Sequence, residues 1–264
     1  MKKILTTMFL AMPVFAFAEE NSYSNFQDFK NEYNLGYTIA SGSWTKGGSG
    51  DYSQQAIDFE IEHLTDFGLW FDVSASLLTD YTQTYPTSTT TQTYPTELTG
   101  DQGIYGGING KLGYGFVVMP DQLLLTPYAS FGRNTNLSTY TLSTLNPYDN
   151  ITSAYFLSMG GGLRADYLAN QDYDLYVSQD IIYNLDMADH SIVAGTNLPS
   201  SDNVQYTTKA GVKYNLNKLV QFGVGVYFTH YSFANAQIYP NSGFTNYANP
   251  NNEFGGVFSV GLTY

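Results

Sequence analysis

The chain has 264 residues, a net charge of -13 and no cysteine. Its ten Lys and Arg against 23 Asp and Glu exclude a nucleic-acid-binding protein, because neutralising phosphates requires clustered cations. The lack of cysteine excludes disulfide bonds, thiolate catalysis and Cys-ligated zinc. Only 12% of the residues are charged and 16% are aromatic. This composition fits a chain that meets lipid on one face and water on the other.

The first 18 residues have the pattern of a secretory signal peptide. Two lysines precede an apolar segment at residues 4–15, and Ala16-Phe17-Ala18 supplies an A-x-A cleavage site. We therefore expect export and cleavage after Ala18. An uncleaved anchoring helix is the alternative, but the segment is shorter than the roughly 20 residues that span a bilayer. Residues 19–32 follow as a polar leader with room for one short helix, and residues 33–264 form the main domain.

In the main domain, apolar and polar residues alternate in ten successive segments. Residues 67–77 are an example, in which Phe, Leu, Phe and Val alternate with Gly, Trp and Asp. Successive side chains of a strand point to opposite faces, so each segment has one apolar and one polar face. The pattern predicts an all-β fold, a closed antiparallel transmembrane β-barrel of ten strands, with eight or twelve strands as alternatives.

The connections between these segments alternate between short and long. The short ones lie near residues 64–66, 120–121, 170–171 and 215–218, and the long ones near 79–101, 134–152, 186–202 and 233–252. Short turns on one rim and long loops on the other are typical of outer-membrane barrels, with both termini on the periplasmic, short-turn side. A soluble β-sandwich or lipocalin-like barrel is the alternative. It would need a charged outer face, whereas the polar face here is mostly Gly, Ser, Thr and Asn.

The last seven residues, Phe258 to Tyr264, read FSVGLTY and look like the carboxy-terminal signal that the barrel-assembly machinery recognises. With the signal peptide and the alternation, this ending resembles Gram-negative outer-membrane β-barrel proteins of the broad class that includes OmpA-like, OmpW-like and opacity-type barrels. The resemblance covers residues 33–264, and it departs from the commonest form by ending in Tyr instead of Phe. It implies a location in the outer membrane, with membrane lipid and the assembly machinery as partners, and we expect a monomer.

The sequence offers little for catalysis, and we expect neither an enzyme nor a metal or other cofactor. Of the histidines, His63 is expected in a short turn, His190 in a long loop and His230 near the outer end of a strand. Asp189-His190-Ser191 looks like a catalytic trio, but triads normally draw on distant segments. His230 with Asp80 or Asp101 could imitate the ten-stranded outer-membrane proteases, an analogy that rests on strand count alone.

Charged residues on the polar face predict a cluster inside the lumen. The acids are Asp58, Glu60, Glu62 and Asp72, and the bases are Lys111, Arg164, Lys209 and Lys213. If the hairpin turn is centred near Thr65, Asp58 faces Asp72, and the like charges require compensation. Either cations reach across and plug the lumen, or a water-filled pore has opposed acidic and basic walls. The many inward glycines are expected to leave room for water.

The long loop after the third segment contains a nine-residue repeat. Thr-Gln-Thr-Tyr-Pro-Thr occurs twice, with Tyr85 and Pro86 in the first copy and Tyr94 and Pro95 in the second. The repeat is either a tolerated duplication or a surface that presents a binding site for an extracellular ligand. The leading functional hypothesis is a small porin or scaffold barrel, with passage of small polar solutes. The alternatives are a surface-interaction protein that acts through its loops and, third, an outer-membrane hydrolase.

Overall fold

A computed structural model describes residues 23–44, 50–84, 97–99, 106–139, 151–189, 196–197, 204–232 and 252–264. The predicted signal peptide, the beginning of the leader, His190, Asp101 and the repeat with Tyr85, Pro86, Tyr94 and Pro95 lie outside these residues. In the described part of the chain, no helix has the length and hydropathy that crossing a membrane requires.

The alternating segments form strands, preceded by one short helix. Their bounds are α1 Ser24–Lys30, β1 Glu32–Trp44, β2 Gly50–Leu64, β3 Leu69–Thr84, β4 Glu97–Thr99, β5 Gly106–Tyr114, β6 Phe116–Met119, β7 Leu123–Thr139, β8 Ile151–Asn170, β9 Tyr173–Asp189, β10 Thr196–Asn197, β11 Val204–Asn215, β12 Val220–Ser232 and β13 Asn252–Thr263.

The strands close into an antiparallel ring. β5 and β6 both pair with β7, so together they fill one strand position in the ring. The short strand β4 pairs with β3 and belongs to the same position as β5. The short strand β10 pairs with β9 and belongs to the same position as β11. β13 pairs with β1 from Glu32↔Thr263 to Ser43↔Asn252, which closes the ring. The described residues therefore form a barrel with ten strand positions, and the predicted fold class and strand number are confirmed.

The outer face of the barrel is an exposed apolar belt. Val224 and Leu163 lie on it with 53% and 48% of their surfaces exposed. Tyrosines flank the belt at both ends of several strands, such as Tyr173 and Tyr183 on β9. In water such a large apolar surface would be unfavourable, whereas in a bilayer it contacts the hydrocarbon chains of the lipid. The belt and the girdles are the signature of a barrel that spans a membrane.

The turn between β2 and β3 corrects one expectation about register. It occupies Thr65–Gly68, and Gly68 adopts a φ of +91° that favours glycine. The turn is thus centred two residues later than expected, which displaces every pairing by four residues. Asp58 pairs with Ser76, and the like charges that face each other are Glu62 and Asp72.

The helix α1 lies inside the barrel at the end where the short turns are. This short-turn end comprises residues 65–68, 120–122, 170–172 and 215–219. Phe26 and Phe29 of α1 are 0% and 1% exposed. The segment that the sequence marks only as a polar leader therefore contributes to the interior of the barrel.

Candidate functional site: a closed lumen

A floor of apolar side chains closes the short-turn end. The floor consists of Tyr23, Phe26 and Phe29 from the α1 segment and of Leu64, Trp70, Leu124 and Leu168 from four barrel strands. All of them are buried. Phe26 and Phe29 are three residues apart, so they share one face of the helix and enter the lumen together. The α1 segment thus supplies an apolar lid that the barrel alone lacks.

Hydrogen bonds fasten α1 to the short turns. The Tyr23 hydroxyl donates to the Gly115 carbonyl at 2.9 Å. Burial raises the pKa of Tyr23, so this hydroxyl stays protonated and remains a donor. Gln27 donates to the Asp66 carboxylate at 2.7 Å, and Asn25 donates to Asp121 at 2.9 Å. These contacts hold the helix at the rim.

Above the floor, an ionic network crosses the lumen, with Glu62 at its centre. Lys30 of α1 lies 3.0 Å from one Glu62 oxygen, and Lys213 of β11 lies 2.7 Å from the other. Arg164 of β8 approaches the first oxygen at 3.4 Å. The indole N–H of Trp70 donates to the same oxygen at 2.8 Å. One fully buried carboxylate therefore joins three walls of the barrel and the helix.

Two further carboxylates complete the network. Asp166 accepts hydrogen bonds from Lys30 at 2.6 Å and from Arg164 at 2.7 Å. Lys213 pairs with Glu32 at the start of β1 and also donates to the Phe29 carbonyl at 3.1 Å. We call Lys30, Glu32, Glu62, Arg164, Asp166 and Lys213 the ionic network. Its members are buried, so removing one partner leaves a charge that water does not compensate.

Further from the rim, aromatic side chains occupy the side of the lumen formed by β7–β9 and β11–β13. Tyr128 donates to Asp180 at 2.6 Å, and the Arg164 guanidinium lies 4.7 Å from the centre of the Tyr176 ring. Tyr227 donates to Glu253 at 2.7 Å. We call this side the packed wall; its buried inward residues include Ser130, Ser158, Ser178, Asp180, Thr207 and Thr229.

On the packed wall, tyrosine side chains occupy the space beside the inward glycines, so these glycines do not leave room for water. A Cβ at Gly225 would lie 2.6 Å from the Tyr176 hydroxyl, and a Cβ at Gly255 would lie 2.3 Å from the Tyr227 ring. Any side chain at these positions would displace the tyrosine. The expectation that glycine opens the lumen is therefore wrong on this side.

The opposite side, formed by β2, β3 and β5, stays partly accessible to water. We call it the wet wall; its half-exposed inward residues are Asp58, Glu60, Ser74, Ser76 and Asn109. Asp58 accepts hydrogen bonds from Thr38 and Ser76. At the lower end of the wet wall, Lys111 pairs with Asp72 at 3.1 Å.

The predicted charge cluster is thus divided. Glu62, Arg164 and Lys213 meet in the ionic network, and Asp72 pairs with Lys111 beside it. The other three predicted members, Asp58, Glu60 and Lys209, lie further up the lumen, and Lys209 is exposed with no ion pair among the described residues.

The sequence reasoning missed Lys30, Glu32 and Asp166 as members of the network. The inward parity of Asp166 on its strand was a usable signal, and so was the extension of the β1 alternation by one residue to Glu32. Nothing in the periodicity of the leader pointed to Lys30.

The two described histidines lie on the outer face. His63 belongs to β2 and not to a turn, and its ring stacks on Tyr264 with centroids 6.0 Å apart. His230 contacts Asn252 at 2.9 Å through Nδ1. Among the described residues, no group of His, Asp and Glu is arranged to hold a metal ion.

Comparisons with known proteins place the fold. No family model and no curated protein matches the chain. The β domain of the Bordetella autotransporter BrkA is similar, with a TM-score of 0.54 at 12% identity over 89% of this chain and 100% of that one. The translocator domain of the autotransporter NalP from Neisseria meningitidis scores 0.48 at 12% identity, covering 88% of each chain. The Escherichia coli outer membrane protease OmpT scores 0.43 at 9% identity, covering 88% and 96%.

At these identities the likeness concerns the fold alone. That fold is an outer-membrane β-barrel, as the resemblance in the sequence implies. The lipid-facing belt and the closed ring agree with it, because only a barrel without free edges satisfies every backbone group of a sheet in lipid. The fold and the belt are consistent with a location in the outer membrane.

Proposed function

We propose that the protein is a scaffold barrel of the outer membrane, closed in its resting form, and not a constitutively open porin or an enzyme. The observation that carries this proposal is the position of Glu62, which Lys30, Arg164 and Lys213 approach from three directions. Side chains that meet at one buried point from three directions occupy the lumen at that layer, which supports a closed form. The apolar floor beneath adds a second barrier.

Planar-bilayer recording tests this proposal. The full-length protein, purified from outer membranes, is expected to show no conductance steps, although electrophoresis with and without boiling detects a folded barrel. Steady conductance in most insertions of the unmodified protein would contradict a closed resting form and would favour the porin hypothesis.

A second candidate function is interaction at the cell surface. It is supported by the length of three neighbouring strands on one side of the barrel. β7, β8 and β9 have 17, 20 and 17 residues, whereas about 9–11 residues of a tilted strand cross a bilayer. β7 and β8 stay paired out to Thr139↔Ile151. A rigid sheet that projects beyond the lipid is a suitable platform for binding, as are the loops that it carries.

Shortening this platform tests the second candidate. Residues 136–154 are replaced with a two-residue turn, which leaves the membrane-level part of β7 and β8 paired. We expect cells to lose adhesion to an extracellular-matrix coating while the barrel still assembles. Replacing residues 85–96 instead tests whether the repeat contributes. Unchanged adhesion in both variants would leave the scaffold role without a surface function.

A further inference from the structure

We propose that α1 is a displaceable plug and that the barrel beneath it contains a path for small cations along the wet wall. The inference goes beyond the closed resting form, since it concerns what the same barrel does when the helix leaves. It rests on how α1 is attached, on the uneven filling of the lumen and on the charge of the wall that remains accessible.

The attachment of α1 allows it to leave without unfolding the barrel. The helix has seven residues. Tyr23 just before it, Asn25, Gln27 and the Asp28 carbonyl form hydrogen bonds with Gly115, Asp121, Leu64, Asp66 and Asn215, all at the short-turn end. It can therefore withdraw towards that end without passing through the lumen. A helix this short is not stable by itself, so α1 stays helical only while it packs against the barrel residues of the floor.

Lys30 is the connection between the plug and the ionic network. It bridges Glu62 and Asp166, and it is the cation that leaves with α1. Lys213 loses its bond to the Phe29 carbonyl at the same time. Withdrawal therefore opens the floor and also leaves the carboxylates of the network with fewer cations, which favours the entry of water.

The accessible path and the acidic wall coincide. Asp58, Glu60 and the other half-exposed polar residues of the wet wall lie on β2, β3 and β5. On the packed wall, the tyrosines lie against the inward glycines. Asp58 and Glu60 line this path, and it reaches the network at Glu62, where Lys30 and Trp70 now block it. Removing α1 thus extends an existing water-accessible strip to the short-turn end.

Charge sets the selectivity of this path. The described lumen-facing carboxylates are Glu32, Asp58, Glu60, Glu62, Asp72, Asp166, Asp174, Asp180 and Glu253, and the described lumen-facing bases are Lys111, Arg164, Lys209 and Lys213. The barrel without α1 therefore has an acidic excess. Acidic walls concentrate cations and exclude anions, so the ions that pass are small cations.

The experiment compares the full-length protein with a deletion of residues 23–30 in planar bilayers under a KCl gradient. We expect the deletion variant to form channels whose reversal potential shows cation selectivity, and the full-length protein to stay silent. Adding Asp58→Asn and Glu60→Gln to the deletion should lower the cation-to-anion permeability ratio several-fold. A folded deletion variant without conductance, or an anion-selective one, would overturn the inference.

A second variant covers failure of the deletion to fold. Phe26→Asp with Phe29→Asp keeps every residue but makes the buried face of α1 incompatible with the floor, so it should open the same channel. In the reverse test, Asn25→Cys and Asp121→Cys are joined by a short bis-maleimide; the chain has no other cysteine. Introduced into the Phe26→Asp/Phe29→Asp variant, the cross-link should abolish its openings, and openings that persist after cross-linking would contradict the plug.

The outcomes separate this inference from the proposed function. If the full-length protein conducts as readily as the deletion variant, the closed scaffold is wrong. If both are silent although folded, the scaffold stands and the cation path is wrong.

Discussion

Lys30 of α1 and Glu62 of β2 form an ion pair, 3.0 Å long, in which both side chains are almost completely buried. The pair ties the segment before the barrel to the centre of the network. The cost of removing charges from water makes such a pair weak evidence for stability, but breaking it from one side is expensive. Its two members therefore give the sharpest tests of the closed lumen.

Replacing the cation of this pair should destabilise the barrel. Lys30→Met leaves Glu62 and Asp166 with fewer partners, and we expect the free energy of unfolding to fall by about 3–5 kcal/mol. Urea titration in lipid vesicles measures it. Asp28→Asn, an exposed position of the same helix, should stay within about 0.5 kcal/mol of the wild type. Equal stability of the two variants would show that α1 is not part of the folded interior.

Two glutamates on one strand should respond differently to neutralisation. Glu62→Gln removes a carboxylate that three cations approach, so we expect a loss of several kcal/mol, comparable to that of other broken buried pairs at about 3–5 kcal/mol. Glu60→Gln removes a half-exposed carboxylate with no ion pair among the described residues, so it should be neutral or slightly stabilising. The same urea titration compares them, and a larger loss at Glu60 would reverse our account of the network.

The membrane face can be tested with two residues of identical exposure. Val224 on the belt and Leu216 in a short turn are each 53% exposed. Val224→Arg should cost about 2–4 kcal/mol, because the charge enters the hydrocarbon. Leu216→Arg should cost little, because the turn lies in water. Unfolding in vesicles measures both variants, and similar costs would mean that position 224 does not face lipid.

The tyrosine packing predicts a specific rescue. Gly225→Ala places a methyl group 2.6 Å from the Tyr176 hydroxyl, so we expect a loss of about 1–3 kcal/mol. Tyr176→Phe removes that oxygen and should restore part of the loss in the double variant. Gly256→Ala is the control, because its Cβ would meet nothing closer than 3.9 Å. Without coupling between positions 225 and 176 in the thermodynamic cycle, the packing argument fails.

The sequence predicts the barrel well because its signal is periodic and repeated. Each strand, from Tyr33 to Tyr264, shows its inward and outward faces directly, and the ring closes with the strand number that the count of segments indicates. The aromatic girdles follow from the same alternation.

The interior is harder to predict, because its contacts join distant segments. Lys30 and Asp166 are 136 positions apart, and no local pattern connects them. The register of Asp58 depended on the exact turn at Gly68, where a shift of two residues changes every pair. Glycines such as Gly225 give no sign in the sequence of the ring that covers them.

The uneven lumen divides the barrel into a half that resists change and a half that accepts it. Next to the tyrosines of the packed wall, a single added methyl group meets a ring or a backbone atom, whereas Asn109 and Ser76 of the wet wall keep part of their surface exposed. Random variation should therefore accumulate on β2, β3 and β5 and be purged from β8, β11 and β12. For an engineer who wishes to convert this barrel into a sensor of wider bore, the wet wall is the side on which to begin.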